Sequence, residues 1–322
     1  MSRLLVDDRY RGAHGIGRYA REVLGRLELP WRGLSLTGTP YAPFDAFRSL
    51  PGLGEADVVY SPGYGALLRA PRQVLTVHDL IQLQTDWPGR AKFLAYYNGP
   101  VRRVVRRAGV VLTVSETSAE AIRAWLRDDT VRVVNAGNGC SAVFTPEGAS
   151  EAASDPYVLF VGNTRAHKNL GVVLRGVAVA PGVRLRTVVP EGEADEVRGL
   201  AAAAGISSRV DVLTGVDDER LAELYRGAAA TVMPSLLEGF GLPALESVAS
   251  GTPVIHWGGC RAVAEIVAGR GWSLGDARDA QEWAVAMVEA IESPRTVSAP
   301  AGVYDWDRTA RIVGATLQEA LD

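Results

Sequence analysis

Short runs of β-branched and aliphatic residues recur along the whole chain and alternate with segments of helical periodicity. That alternation constrains the fold more than any other feature. A strand, a helix and a second strand form a βαβ unit, and repeated units build a parallel sheet with helices on its faces. In the first half, residues 3–6, 57–60, 73–77, 110–114 and 131–134 read as strands. In the second half, 157–161, 184–188, 210–213, 230–233 and 253–256 do so, separated by helices that include 193–204, 217–227 and 243–249. The helix after Ser115 carries Thr117 and Glu120 at capping-box spacing. Between the halves, residues 145–156 (TPEGASEAASDP) have no apolar periodicity and read as an interdomain linker. The expectation is an α/β protein with two Rossmann-like, doubly wound parallel-sheet domains facing a cleft. The domains are expected at 1–150 and 151–303, followed by a C-terminal helix in 304–322.

Composition removes other classes. With 322 residues, 47% hydrophobic and 22% charged, and a mean hydropathy of +0.05, the chain can bury a core and is neither disordered nor fibrous. No apolar run approaches the roughly 20 residues that span a bilayer, and MSRLLVDDRY has acids where a signal peptide needs an apolar stretch. Cys140 and Cys260 are the only cysteines, too few for a disulfide framework or a cysteine-rich metal site, so a cytoplasmic location is expected. No nucleic-acid partner is expected.

Charge is uneven. Residues 1–150 carry 19 basic and 14 acidic side chains, a net of +5, while 151–322 carry 15 and 23, a net of −8. Arg102, Arg103, Arg106 and Arg107 would form one basic stripe on a helix, suited to peripheral contact with an anionic membrane at its inner face. A solvated helix face is the plainer alternative. Of the 34 basic residues, 32 are arginine, as GC-rich coding favours, which leaves Lys92 and Lys168 as the two lysines.

In open α/β sheets, ligands bind beyond the carboxyl ends of the strands. After strand 157–161 come Gly162, Asn163, Thr164, Arg165, Ala166, His167, Lys168 and Asn169. A glycine, two cations and the start of a helix suit a phosphate or diphosphate. The pattern is neither a P-loop nor a dinucleotide fingerprint. After strand 230–233 come Ser235, Glu238, Gly239, Phe240, Gly241, Leu242, Pro243 and Glu246. The glycines allow close backbone approach, Pro243 suits a first helical turn, and Glu246 can then reach a hydroxyl pair such as a ribose. In the first half, His78 and Asp79 end strand 73–77, and Gly15, Gly17 and Arg18 follow a glycine turn before a helix. Asp7-Asp8 and Asp217-Asp218 read as turn or cap residues, and no Asp-x-Asp metal signature stands in a suitable loop.

Taken in order, Gly15 to Tyr19, Val77 to Leu80, Val114 to Glu116, Gly162 to Leu170, Glu238 to Glu246 and Ala249 to Ile255 closely resemble the retaining glycosyltransferases of family 4, which have the GT-B fold. The resemblance covers nearly the whole chain. It implies that the second domain holds a nucleotide sugar and the first the acceptor, with the C-terminal helix crossing back to the first domain. Lys168 would contact the donor diphosphate, with Gly162, Asn163 and Arg165 beside it. Glu246 would bind the ribose, and Glu238 the sugar hydroxyls or the neighbouring phosphate region. Ser235, Gly239, Phe240, Gly241 and Leu242 would line the donor, His78 would stand beside the transferred sugar, and Gly15, Gly17 and Arg18 near the diphosphate. His78, Lys168 and Glu238 are the catalytic candidates, and no metal or cofactor is implied. Many members have arginine where this chain has Asn163, a charge that Arg165 would have to supply. The stretch 257–264, WGGCRAVA, also departs from the usual serine-rich sequence in the region that reads the donor.

The His-Lys-Asn sequence most resembles members that move mannose from GDP-mannose in bacterial polysaccharide or glycolipid assembly. The implied reaction is metal-independent transfer of a hexose, with retention, to a glycan or lipid-linked acceptor. Transfer from a UDP-sugar, GDP-fucose or dTDP-sugar to a small molecule stays open. So do a nucleotide-sugar epimerase and a catalytically silent binding subunit on the same fold.

Overall fold

The computed structural model describes residues 2–12, 15–40, 42, 44–151, 155–300, 302 and 304–322. The chain divides into two compact units, Met1–Gly139 with Tyr304–Asp322, and Cys140–Val303.

Among the described residues, the first unit holds six strands: β1 (Leu4–Val6), β2 (Trp31–Gly33), β3 (Val58–Ser61), β4 (Arg72–Leu75), β5 (Val110–Thr113) and β6 (Arg132–Asn135). β2, β1, β3 and β4 lie side by side in that order, all parallel, with Leu4 between Trp31 and Val58. β5 and β6 form a parallel pair. A bridge between Thr76 and Leu112, and the Val77 N–H on the Leu112 carbonyl at 2.8 Å, join that pair to the β4 side. VVYS in β3 and VVLT in β5 are buried throughout, as strands covered on both faces must be.

The second unit holds β7 (Tyr157–Val161), β8 (Arg184–Val188), β9 (Val210–Leu213), β10 (Ala230–Met233), β11 (Val254–Trp257) and β12 (Gly271–Leu274), all parallel. Their order is β12-β11-β10-β7-β8-β9. The chain winds outward from β7 through β8 and β9, then returns to the other side of β7 with β10. The neighbours β7 and β10 therefore send their following loops in opposite directions, which opens a crevice at their carboxyl ends. The fully buried Trp283, on helix Ala280–Glu292, packs with Val173 and Val177 of helix Leu170–Val179 in the core beneath this sheet.

Of the twelve strands among the described residues, ten follow the sequence reading within a residue or two. β2 and β12 do not: WRG and GWSL are short, partly exposed edge strands beside proline or glycine, with no β-branched run to announce them. The helix cap also differs. Ser115, in extended conformation, accepts the Ser118 N–H at 3.0 Å and caps helix Glu116–Leu126, while Thr117 lies inside the first turn. Ser115→Ala is expected to cost about 1 kcal/mol and Thr117→Ala under ~0.5 kcal/mol; urea denaturation midpoints check this, and equal midpoints would return the cap to Thr117. Asp217 caps helix Asp218–Gly227, as read, through the Arg220 N–H at 2.8 Å. Asp7 is not a simple turn residue: it is buried and paired with Arg9, which also grips Asp45 at 2.7 Å.

The segment read as a linker is docked along part of its length. Just ahead of it Phe144 is buried with Tyr157, Leu159, Leu224 and Tyr225; within it Glu151 pairs with Arg186 and Arg220, and the Ala149 and Thr145 carbonyls accept from Arg226. The change between units accordingly falls at Gly139, ahead of 145–156.

All four arginines of the basic stripe stand on one helix, Arg102–Ala108, as the spacing predicts. Arg90–Tyr96 and Arg102–Ala108 are helical, joined by a wider turn at Tyr97–Val101 that contains Pro100. Arg102 lies 5.0 Å over the Trp125 ring, Arg106 pairs with Asp128 at 2.8 Å, and Arg107 donates to the Leu68 carbonyl at 3.1 Å. Arg103 is exposed. Three of the four guanidinium groups thus hold parts of the first unit together. Among the described residues, no helix is long and apolar enough to cross a membrane.

The C-terminal helix is Trp306–Leu321, capped by Asp305, which accepts the Asp307 N–H at 2.9 Å. It packs in the first unit beside helix Gly15–Leu24, with Trp306 against Tyr19 at 6.1 Å between ring centroids.

Candidate functional site

In the second unit, the chemistry gathers where β7 and β10 end. The loop after β7 turns at Asn163, whose side-chain oxygen accepts the Arg165 N–H at 3.2 Å. Thr164 is held by two carboxylates, its N–H on Glu193 at 2.6 Å and its hydroxyl on Glu196 at 2.7 Å. A 3-10 turn, Ala166–Lys168, follows, and Asn169 at φ +52° leads into helix Leu170–Val179. Arg165 is exposed and Gly162 half-buried.

The loop after β10 runs through the buried Ser235, Gly239 and Phe240 to helix Leu242–Ala249. Gly241 precedes that helix at φ +107°, where a side chain would be strained, and a Cβ there would sit 3.2 Å from Val263. Pro243 lies in the first turn, where its missing N–H loses no helical bond.

The two loops meet. Lys168 Nζ donates to Glu238 Oε1 at 2.6 Å, with side chains only 14% and 9% exposed. This charge-assisted bond occupies one of the three ammonium donors. Glu246 is 5% exposed, and Oε2 of its carboxylate accepts the hydroxyl of the buried Tyr225 at 3.1 Å. The site therefore has a cation already compensated by one carboxylate, and a second carboxylate fixed by a phenol. Such a pair of acceptors suits vicinal hydroxyls, and the ammonium suits a diphosphate.

Neighbouring titratable groups are held neutral. Burial, and then the Glu238 charge, push the Cys260 thiol up to about 12, so it is not a thiolate nucleophile. Burial first, then Lys168, push His167 down from its ordinary value. No group of three or more His, Cys, Asp or Glu among the described residues is placed to hold a metal ion.

His78 belongs to the first unit, just beyond β4. Its Nε2 lies 2.8 Å from the Pro62 carbonyl, which can only accept, so Nε2 carries a proton. The ring meets Tyr19 edge-on at 4.8 Å, and the Ser118 hydroxyl donates to the His78 carbonyl at 2.8 Å. Gly15 and Arg18 stand on helix Gly15–Leu24, and Gly17 is buried there because a Cβ would fall 2.3 Å from the Gly12 carbonyl oxygen. The residues singled out from sequence thus form two groups, one in each unit. Sequence reasoning gave no role to Asn169 or Tyr225. Tyr225 looks like any core residue on the apolar face of its helix, and its hydroxyl partner stands 21 residues away.

Comparison with known proteins agrees with this arrangement. A family model described as "Glycosyl transferases group 1" matches residues 146–300. D-inositol 3-phosphate glycosyltransferase of Mycolicibacterium smegmatis is 31% identical over 242 residues, covering 68% of this chain and 55% of that protein. The protein of the same name from Mycobacterium avium is 35% identical over 268 residues, covering 78% and 57%. The chain therefore spans somewhat over half the length of these relatives. Among solved structures, sucrose-phosphate synthase from Thermosynechococcus elongatus aligns with a TM-score of 0.76 at 18% identity, over 99% of this chain and 98% of that one. The lipopolysaccharide outer core galactosyltransferase WaaB aligns at 0.63 and 12%, over 99% of each. With two parallel α/β sheets, this match in fold along both units and these relatives in sequence, the chain belongs to the glycosyl transferases group 1 family, family 4, and has its GT-B fold.

Proposed function

We propose that the chain is a retaining, metal-independent glycosyltransferase that takes a hexose from a nucleoside-diphosphate sugar bound in the second unit. The observation that carries this reading is the Lys168–Glu238 pair at the crevice between β7 and β10, with Glu246 on the next helix. Lys168 stabilises the charge that develops on the departing nucleoside diphosphate, an electrostatic role that grows toward the transition state. Glu246 holds the ribose hydroxyls and Glu238 the sugar hydroxyls or the adjoining phosphate region. Arg165 supplies a second positive charge in the loop where many members have arginine at the Asn163 position. By the family resemblance, His78 is the residue that serves beside the transferred sugar. The first unit is the acceptor side, and the enzyme works in the cytoplasm.

GDP-mannose is the first donor to test, from the His-Lys-Asn sequence of the loop. For the acceptor, a small phosphorylated polyol is the reading favoured by the relatives, whose name specifies D-inositol 3-phosphate. A glycan or lipid-linked acceptor in polysaccharide assembly is the second. Peripheral contact with an anionic membrane through Arg103, Arg106 and Arg107, which are exposed, goes with that second reading.

A melting-temperature panel of sugar nucleotides, run with and without EDTA, tests the donor reading. One nucleotide sugar at 100 times its Kd is expected to stabilise the fold by about 2.7 kcal/mol, equally in both conditions. No shift with any of them would overturn the donor site, and a shift abolished by EDTA would overturn metal independence.

A further inference from the structure

We infer that Asn169 is the positioning residue of this site: its side chain bolts the β7 loop to the β10 loop and so sets where the Lys168 ammonium stands. Asn169 takes the left-handed conformation, φ +52° and ψ 30°, which asparagine tolerates better than most residues. In that conformation both hydrogens of its amide are used. Nδ2 donates to the Pro234 carbonyl at 3.2 Å and to the Ala277 carbonyl at 2.7 Å, so one side chain ties the end of β10 to the loop after β12. On the other side of Lys168, the His167 carbonyl accepts the Leu236 N–H at 2.7 Å.

The residues on both sides of Lys168 are therefore fastened to positions 234 and 236, within four residues of its partner Glu238. A lysine side chain has four flexible methylenes and costs up to ~2 kcal/mol of rotamer entropy to order. Two bolts on its backbone limit the positions from which Nζ can reach Glu238 Oε1 at 2.6 Å. Neither is part of a helix or strand ladder, and only the Asn169 bolt is removable by substitution, because the other joins two backbone groups.

The catalytic meaning of this placement rests on the donor-site reading, but the placement itself does not. The chain's two lysines make it directly observable. Reductive methylation with 13C-formaldehyde keeps the lysine charge and labels Lys92, Lys168 and the α-amino group. Lys168→Arg identifies the Lys168 signal. In the full-length wild type, that signal is expected away from the position of a solvated dimethyl-lysine, because it lies against Glu238. Asn169→Gly keeps the left-handed backbone accessible and deletes both donors; it is expected to move the Lys168 signal at least halfway to the solvated position, with the Lys92 signal unchanged. Asn169→Asp, which sets carboxylate oxygens against two carbonyls, is expected to move it as far. A Lys168 signal that stays in place in a folded Asn169→Gly protein would overturn the proposal. So would a signal at the solvated position in the wild type.

A second arm adds GDP or UDP. If the Lys168 signal of the wild type responds to neither, the donor reading falls while the positioning result stands on the ligand-free spectra. If it responds, Asn169→Gly is expected to weaken that nucleotide about tenfold in the wild-type background and under twofold beside Lys168→Ala. Equal loss in both backgrounds would mean that Asn169 does not act through Lys168.

Discussion

Lys168→Arg is expected to lower kcat by one to two orders of magnitude, and Lys168→Ala by two to three, the range seen when a group aimed at developing charge is removed. Lys92→Arg is expected to leave turnover within about twofold, as for a surface substitution. The contrast follows from the surroundings of the two side chains. Lys92 stands on helix Arg90–Tyr96, which buries none of its residues fully, and a guanidinium serves there as well as an ammonium. Lys168 is enclosed, its side chain 14% exposed and one donor on Glu238, so a larger planar group cannot occupy the same volume or direct its charge to the same point.

Truncation to alanine has a second consequence. It leaves the Glu238 carboxylate, only 9% exposed, without its cation, and breaking a buried pair costs several kcal/mol more than the pair's net worth. Steady-state rates should therefore be measured well below the melting temperature of each variant. The double variant Lys168→Met/Glu238→Gln, which removes both charges, is expected to recover stability but not turnover. Recovery of turnover would show that the ammonium is structural.

Glu246→Ala is expected to weaken nucleoside diphosphate binding about 100-fold. Two hydroxyl bonds to a buried carboxylate are worth about 1.5–3 kcal/mol each, and part of that is lost in any case to water. Glu246→Gln, which keeps the shape and can still accept from Tyr225, is expected to lose about tenfold. Calorimetric titration checks both. The sharper measurement uses a 2′,3′-dideoxy nucleoside diphosphate. It should bind the wild type about as weakly as the natural nucleotide binds Glu246→Ala, and Glu246→Ala should not distinguish the two. Full discrimination retained by the variant would place the ribose elsewhere. Tyr225 serves as an internal comparison, because Tyr225→Phe removes one bond to Oε2 and leaves the charge, and should cost only a fraction of the effect.

Much of this protein was legible before any fold was known. YVLFV in β7 and ATVM in β10 declare buried parallel strands, because a strand covered on both faces has no polar side to show. The residues after each strand stood out by their chemistry: a glycine and cations after β7, and two glutamates spaced around Gly-Phe-Gly-Leu-Pro after β10. The edge strands β2 and β12 were not legible, because half-exposed three- and four-residue segments carry no periodicity that distinguishes them from loops. The Ser115 cap was misread for a related reason. Capping depends on which residue is extended as the chain leaves β5, and spacing alone does not report φ and ψ.

Local sequence, then, determined the buried strands though not the edge strands β2 and β12, which end of each strand carries chemistry, and which side chains suit that chemistry. It contained nothing about lateral strand order. Hydrophobic runs in parallel strands are interchangeable as neighbours, and order is decided by how the helices pack between them. Only the tertiary structure set β7 beside β10, reversed the winding there, and brought Lys168 to Glu238 across 70 residues of chain. The same packing turned Asn169 from a helix-start residue into the tie between three loops, since a side-chain amide finds its carbonyl partners only after distant backbone has been placed around it.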